Sequence, residues 1–179
     1  MTQIPNDPQK VAEAAMEYEL EGRRILCESG EKATDPLSKS TFKFLADQEL
    51  KHIEAIKSFA KCLSENEEFD VTKIDAVVDK LEARKAIKGI YAEFQPQFED
   101  AACEEEPRLE VYKVAMDMED HGHDFYAAAA EQATDSASRI LYEFLAAEEI
   151  NHFEIIQETH DFLAQPDAFQ AIDEHWMTF

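Results

Sequence analysis

Apolar residues recur at three- and four-residue spacing in four long stretches of the sequence, and charged residues occupy the positions between them. This spacing places the apolar residues on one face of an α-helix. The pattern predicts four long helices, at about residues 8–32, 36–63, 106–132 and 136–163. Only four glycines interrupt a chain rich in Ala, Leu, Glu and Lys, so we expect an all-α protein.

The chain contains an internal repeat, in which residues 15–57 match residues 115–157 at an offset of one hundred without a gap. Each copy is predicted to form a helical hairpin, with its turn at Asp35 or at Asp135. Aspartate is a favoured N-cap, and Pro36 suits the first position of the helix that follows. Two such hairpins predict a four-helix bundle.

Residues 64–105 form a long connection between the hairpins, with enough periodic apolar residues for one or two short helices. Antiparallel neighbours need only a short loop, so this length predicts a crossover and a parallel second and third helix. We expect residues 1–179 to form one domain, made of hairpins at about 8–63 and 106–163. The C-terminal tail at 166–179 has no evident site chemistry.

Charge and composition narrow the possible partners. The formal net charge of −23 repels a phosphate backbone, so no nucleic-acid partner is expected. The N-terminus lacks the apolar stretch of a secretory signal, and no run approaches the roughly 20 apolar residues that span a bilayer. We therefore expect a cytoplasmic protein with no membrane segment. Cys27, Cys62 and Cys103 form no CxxC pair, which argues against a disulfide framework and a rubredoxin-type iron site.

Six ionisable residues fall on the apolar faces of the predicted helices. They are Glu19, Glu49, His52, Glu119, Glu149 and His152. At a rise of about 1.5 Å per residue, Glu19 lies about 24 Å from the turn, and Glu49 and His52 lie about 21 and 25 Å from it. The repeat gives the second set the same heights, so a parallel crossover brings all six together in the middle of the bundle.

Four carboxylates in one apolar core repel one another, and burying each costs several kcal/mol. Two divalent ions would neutralise them, and the two imidazoles complete an O/N ligand set that suits iron or manganese. A single Glu-x-x-His pair arises on helix surfaces by chance, whereas two pairs at matched depth favour a metal site. His123 is either an extra ligand, a group that tunes the site or a residue at the bundle margin. Tyr126 is either a core aromatic or a hydrogen-bonding or redox group.

The segments EYELEG with LADQELKH, and MEDHGHDFY with LAAEEINH, resemble the rubrerythrin-like branch of the ferritin-like di-iron superfamily. The resemblance covers all four long helices and implies a ferritin-like bundle that holds two iron ions. It implies that Glu49 and Glu149 bridge the ions. The implied terminal ligands are Glu19, Glu119, His52 and His152. It also implies two-electron reduction of hydrogen peroxide, or of dioxygen, at this centre.

The sequence departs from that family at three points. Rubrerythrins usually carry a further glutamate three residues after the first one on the third helix, and Gly122 stands there. No rubredoxin module with CxxC pairs follows the bundle, so the expected electron donor is a separate, rubredoxin-like protein. The connection at 64–105 is longer than in the rubrerythrin core.

The leading hypothesis is therefore a di-iron peroxidase or oxidase that works as a small homo-oligomer. Its main rival is a ferritin-type protein that oxidises and binds iron, for which a large hollow shell is expected. A di-iron hydroxylase, with a substrate pocket beside the metals, is a third hypothesis that the sequence leaves open.

Overall fold

In a computed structural model, which describes residues 4–72, 74, 80–98 and 110–164, the described residues form five helices and no β-strand. The helices are α1 (Pro8–Lys32), α2 (Pro36–Glu65), α3 (Lys80–Phe98), α4 (Glu110–Gln132) and α5 (Ser136–Ala164). This confirms the all-α prediction, and α3 lies within the predicted connection. Cys103, the predicted helical residues 106–109 and the tail at 166–179 lie outside the described residues.

Both hairpin turns end at the predicted aspartate caps. The side chain of Asp35 accepts a hydrogen bond from the backbone N–H of Ser38 at 2.7 Å, and Pro36 follows the cap directly. Asp135 accepts the equivalent bond from Ser138 at 2.8 Å. Each cap satisfies a backbone N–H that has no partner inside the helix, so it fixes where α2 and α5 begin.

Contacts between α1 and α4 show that these two helices run antiparallel. The hydroxyl of Tyr126 lies 3.5 Å from the carbonyl oxygen of Ala15, whereas Gly22 faces Met118. A later residue of α1 thus meets an earlier residue of α4. Since α2 runs antiparallel to α1 within its hairpin, α2 and α4 are parallel, as the long connection predicted.

Two apolar clusters fill the bundle, one towards each end. One contains Ala15, Phe59, Tyr126, Tyr142 and Leu145, and the other contains Leu26, Phe42, Tyr112, Met118 and Ile155. Helix α3 packs against α2, and its Tyr91 hydroxyl lies 2.6 Å from the hydroxyl of Thr159 on α5. None of the described helices is long and apolar enough to cross a membrane. The clusters leave one polar level between them, in the middle of the four long helices.

Candidate metal centre

All six of the ionisable residues singled out by the sequence lie at this polar level, and none is more than 2% exposed. Glu19 comes from α1 and Glu119 from α4. Each of α2 and α5 supplies a glutamate and, three residues later, a histidine. Residues three apart share a helix face, so each Glu-x-x-His pair points into the bundle as a unit.

Of the groups of side chains that could hold a cation, two contain four residues each, and within each of these two the ligand atoms all lie within 4.8 Å of one another. One group contains Glu19, Glu49, His52 and Glu149. The other contains Glu49, Glu119, Glu149 and His152. The groups thus share the two glutamates of the Glu-x-x-His pairs, and each has its own outer glutamate and histidine.

Each shared glutamate presents one oxygen to each histidine. Oε2 of Glu49 lies 3.3 Å from Nδ1 of His52, and its Oε1 lies 2.9 Å from Nδ1 of His152. Oε1 of Glu149 lies 4.0 Å from Nδ1 of His52, and its Oε2 lies 4.0 Å from Nδ1 of His152. The two imidazole rings are nearly parallel, with centroids 5.2 Å apart. This geometry allows each shared carboxylate to contact two cations at once.

Several of these buried atoms have no hydrogen-bond partner among the described residues. They are both oxygens of Glu119, Oε1 of Glu149, Nε2 of His52 and Nε2 of His152. A buried polar atom without a hydrogen-bond partner destabilises the folded protein by about 1–3 kcal/mol, so each such atom calls for an explanation. Four carboxylates and two imidazoles fit two divalent transition-metal ions in charge and in ligand type, so the residues present could hold them.

Electrostatics favour protonation of three of the four carboxyl groups when no cation balances their charge. Burial, together with the charge of Glu49, raises the pKa of Glu19 to about 8. Burial also raises the pKa of Glu119 and of Glu149 well above the usual range. A cation entering the centre therefore competes with protons, and its binding releases them.

For Glu49, His52 and His152, interactions with neighbouring groups outweigh burial in setting the pKa. Burial alone would raise the pKa of Glu49, but a hydrogen bond with Glu19 and the two histidines bring it well below its usual range. Burial alone would lower the pKa of His52 and His152, but the carboxylates, Glu49 foremost, raise both. Glu49 is thus the most strongly anionic member of the cluster.

Tyr126, from α4, contacts the cluster directly. It is fully buried, and its hydroxyl donates a short hydrogen bond to Oε1 of Glu19. Its ring stacks on Tyr142, with centroids 6.3 Å apart. Burial and the negative charge of Glu19 raise the pKa of the phenol, so it stays protonated and remains a donor.

His123 does not join either ligand group. It is half-buried on α4, and its Nδ1 lies 3.0 Å from the carbonyl oxygen of Ala146, where a ring N–H can donate to it. Ala146 lies on α5, three residues before Glu149. His123 therefore links α4 to the helix that carries a shared glutamate.

Tyr18 is a neighbour of the centre that sequence reasoning did not single out. Its ring lies over Gly122, where an added Cβ would be only 2.8 Å from the ring and 3.2 Å from Cγ of Glu149. Its hydroxyl donates to the carbonyl oxygen of Met118, and its ring stacks on Phe125. The aromatic ring thus occupies the place beside Gly122. The only signal in the sequence was its position directly before Glu19.

Comparison with known proteins agrees with this arrangement. The rubrerythrin family model matches residues 10–160, which include all six residues of the cluster. No curated protein and no solved structure matches the chain. Rubrerythrins form a ferritin-like di-iron family whose members bind iron. Since the match spans nearly all of the four-helix bundle, the chain belongs to the rubrerythrin family.

Proposed function

We propose that this protein is a non-haem di-iron oxidoreductase that reduces hydrogen peroxide or dioxygen. The observation that carries the proposal is the placement of Glu49 and Glu149, each with one oxygen towards each histidine. In the proposal these two glutamates bridge two metal ions. The terminal ligands are Glu19 and His52 for one ion, and Glu119 and His152 for the other.

Two iron ions, or manganese in their place, would when bound supply the electrons that reduce the O–O bond of the oxidant. The chain's own part is to hold four carboxylates together and to keep bulk water away. The apolar clusters above and below the polar level keep bulk water away. Tyr126 orients Glu19 through its hydrogen bond.

Electrons would come from a separate donor, such as a rubredoxin-like protein. The three cysteines of the sequence lack the CxxC spacing of a rubredoxin-type iron site, which supports a donor outside these 179 residues. We further propose that the protein works as a small homo-oligomer, in contrast to the large shell of a storage protein.

The test combines metal content with reaction rates. Iron-reconstituted protein should contain two iron ions per chain, and the variant Glu49→Ala should lose them. Stopped-flow oxidation of the reduced protein should be faster with hydrogen peroxide than with dioxygen. No more than traces of bound iron would falsify the proposal. A faster reaction with dioxygen, together with a large shell in solution, would instead indicate a ferritin-type iron-oxidising protein.

A further inference from the structure

The repeat gives the two metal positions the same types of ligand. The residues around the two outer glutamates, Glu19 and Glu119, do not follow the repeat. Tyr126 lies seven residues after Glu119, and the matching residue, seven after Glu19, is Leu26. Because α1 and α4 run antiparallel, Tyr126 reaches the outer glutamate of the other helix, Glu19. Tyr126 contacts Glu19, whereas Leu26 is packed in an apolar cluster with Met118 and Ala115.

This difference changes how many oxygens each outer glutamate has free. Oε1 of Glu19 accepts the hydrogen bond of Tyr126, which leaves Oε2, 3.3 Å from Nδ1 of His52, to face a cation. Both oxygens of Glu119 are buried and have no hydrogen-bond partner in the part of the chain that the structure describes. Leu26 offers no polar atom that could occupy one of them.

We propose that Tyr126 makes the two metal positions unequal by restricting Glu19 to a single ligand oxygen. This inference rests on the proposed di-iron function. The position of Glu19 and His52 then has four protein ligand atoms, whereas Glu119 can bind through both oxygens and give its position five. An oxidant would therefore bind at the position of Glu19 and His52, where the chain would supply fewer ligand atoms. Tyr126 is a positioning residue, since it acts through Glu19.

Azide, a small anion that binds ferric iron at open positions, is the probe that tests this. In the diferric protein, azide should give an optical charge-transfer band that saturates at one azide per centre. In Tyr126→Phe, the second oxygen of Glu19 is free to take the open position. Azide affinity should then fall by about tenfold or more, the usual size of an effect transmitted through a ligand's hydrogen-bond partner. The matched control is Tyr142→Phe, which removes the neighbouring phenol without touching a ligand and should leave azide binding unchanged.

A second measurement needs no variant. Mössbauer spectra of the wild-type diferric protein loaded with ⁵⁷Fe should show two distinct iron environments, and Tyr126→Phe should bring them closer together. Unchanged azide affinity in Tyr126→Phe, or a wild-type spectrum with two indistinguishable irons, would overturn the inference. Neither result would affect the proposed di-iron function, which is tested separately by the iron content of the wild-type protein and by its relative rates with hydrogen peroxide and dioxygen.

Discussion

Raising the pH should destabilise the metal-free protein, although the opposite is common for proteins whose acids are paired. The pKa of Glu19 is about 8 in the folded chain, against 4.5 for an unperturbed side chain. Between these values the folded chain holds a proton that the unfolded chain has released. The stabilisation from that proton is complete below pH 4.5 and is lost as the pH rises through 8.

The size of the effect follows from the two pKa values. Between pH 6 and pH 8 the unfolded side chain is ionised throughout, whereas the folded one goes from almost fully protonated to half protonated. Linkage then gives a loss of about 2 kcal/mol in the free energy of unfolding from Glu19 alone. That is a large share of the roughly 5–15 kcal/mol by which domains are stable.

The remaining members of the cluster either add to this loss or leave it unchanged. The raised pKa values of Glu119 and Glu149, and those of His52 and His152, work in the same direction. Glu49 has a lowered pKa, so its stabilisation is lost only in acid and does not change between pH 6 and pH 8. The loss at Glu19 is therefore a lower estimate for the whole centre.

Urea unfolding of chelator-treated protein at pH 6 and at pH 8 measures this loss. The matched control is Glu19→Gln, which cannot ionise and should reduce the difference between the two pH values by about 2 kcal/mol. Excess Mn²⁺ should remove or reverse the difference, because metal binding needs deprotonated ligands and strengthens as the pH rises. Equal or greater stability of the metal-free protein at pH 8 would refute the reasoning.

Three further predictions, each tested with substituted variants, concern the centre and its neighbourhood. Glu49→Ala or Glu149→Ala should weaken both metal ions, whereas Glu119→Ala should mainly weaken one; metal content after ferrous iron titration decides, and equal loss from all three would refute the bridging roles. His123→Ala should keep two metals bound while it changes the oxidation rate, because His123 contacts the backbone of α5 and belongs to neither ligand group; loss of one metal would make it a ligand. Gly122→Ala should be less stable to urea than Gly22→Ala by about 1–2 kcal/mol, since both gain the same helix propensity but only Gly122 faces an aromatic ring at 2.8 Å. Gly22 instead faces the flexible Met118 side chain at 3.1 Å, so equal stabilities would show that the ring of Tyr18 moves aside freely.

The sequence was sufficient to predict the helices and the level of the six residues, because both depend on spacing along one helix. The aspartate caps placed the starts of α2 and α5, at Pro36 and Ser136, and the period of the apolar residues placed their ends within two residues of those found, at Glu65 and Ala164. A rise of about 1.5 Å per residue then determines how far each candidate ligand lies along its helix from the turn. The extent of α3 was not predictable in the same way, since the connection has several apolar stretches and no clear cap.

Contacts between helices could not be predicted, because periodicity gives the face of a residue but not its partner on the next helix. The contact between Tyr126 and Glu19 requires knowing that α4 lies beside α1 and runs antiparallel to it. The ring of Tyr18 over Gly122 requires the distance between these helices as well. The sequence of one helix gives neither the arrangement of its neighbours nor the distance to them. Two interpretations of Tyr126 therefore stayed open, and Tyr18 was not singled out.

The antiparallel pairing of α1 and α4 also explains how a repeated sequence can build an unsymmetric centre. Glu19 accepts a hydrogen bond from a residue of the other copy of the repeat, so a change in one copy alters the surroundings of a ligand in the opposite copy. Tyr126 provides a hydroxyl donor that the matching residue Leu26 lacks, and Glu19 and Glu119 have different numbers of free oxygens. The six candidate ligands can therefore stay paired across the repeat while the two positions diverge in chemistry. In the proposed function, this difference would let one ion bind the oxidant while the other is held by more ligand atoms.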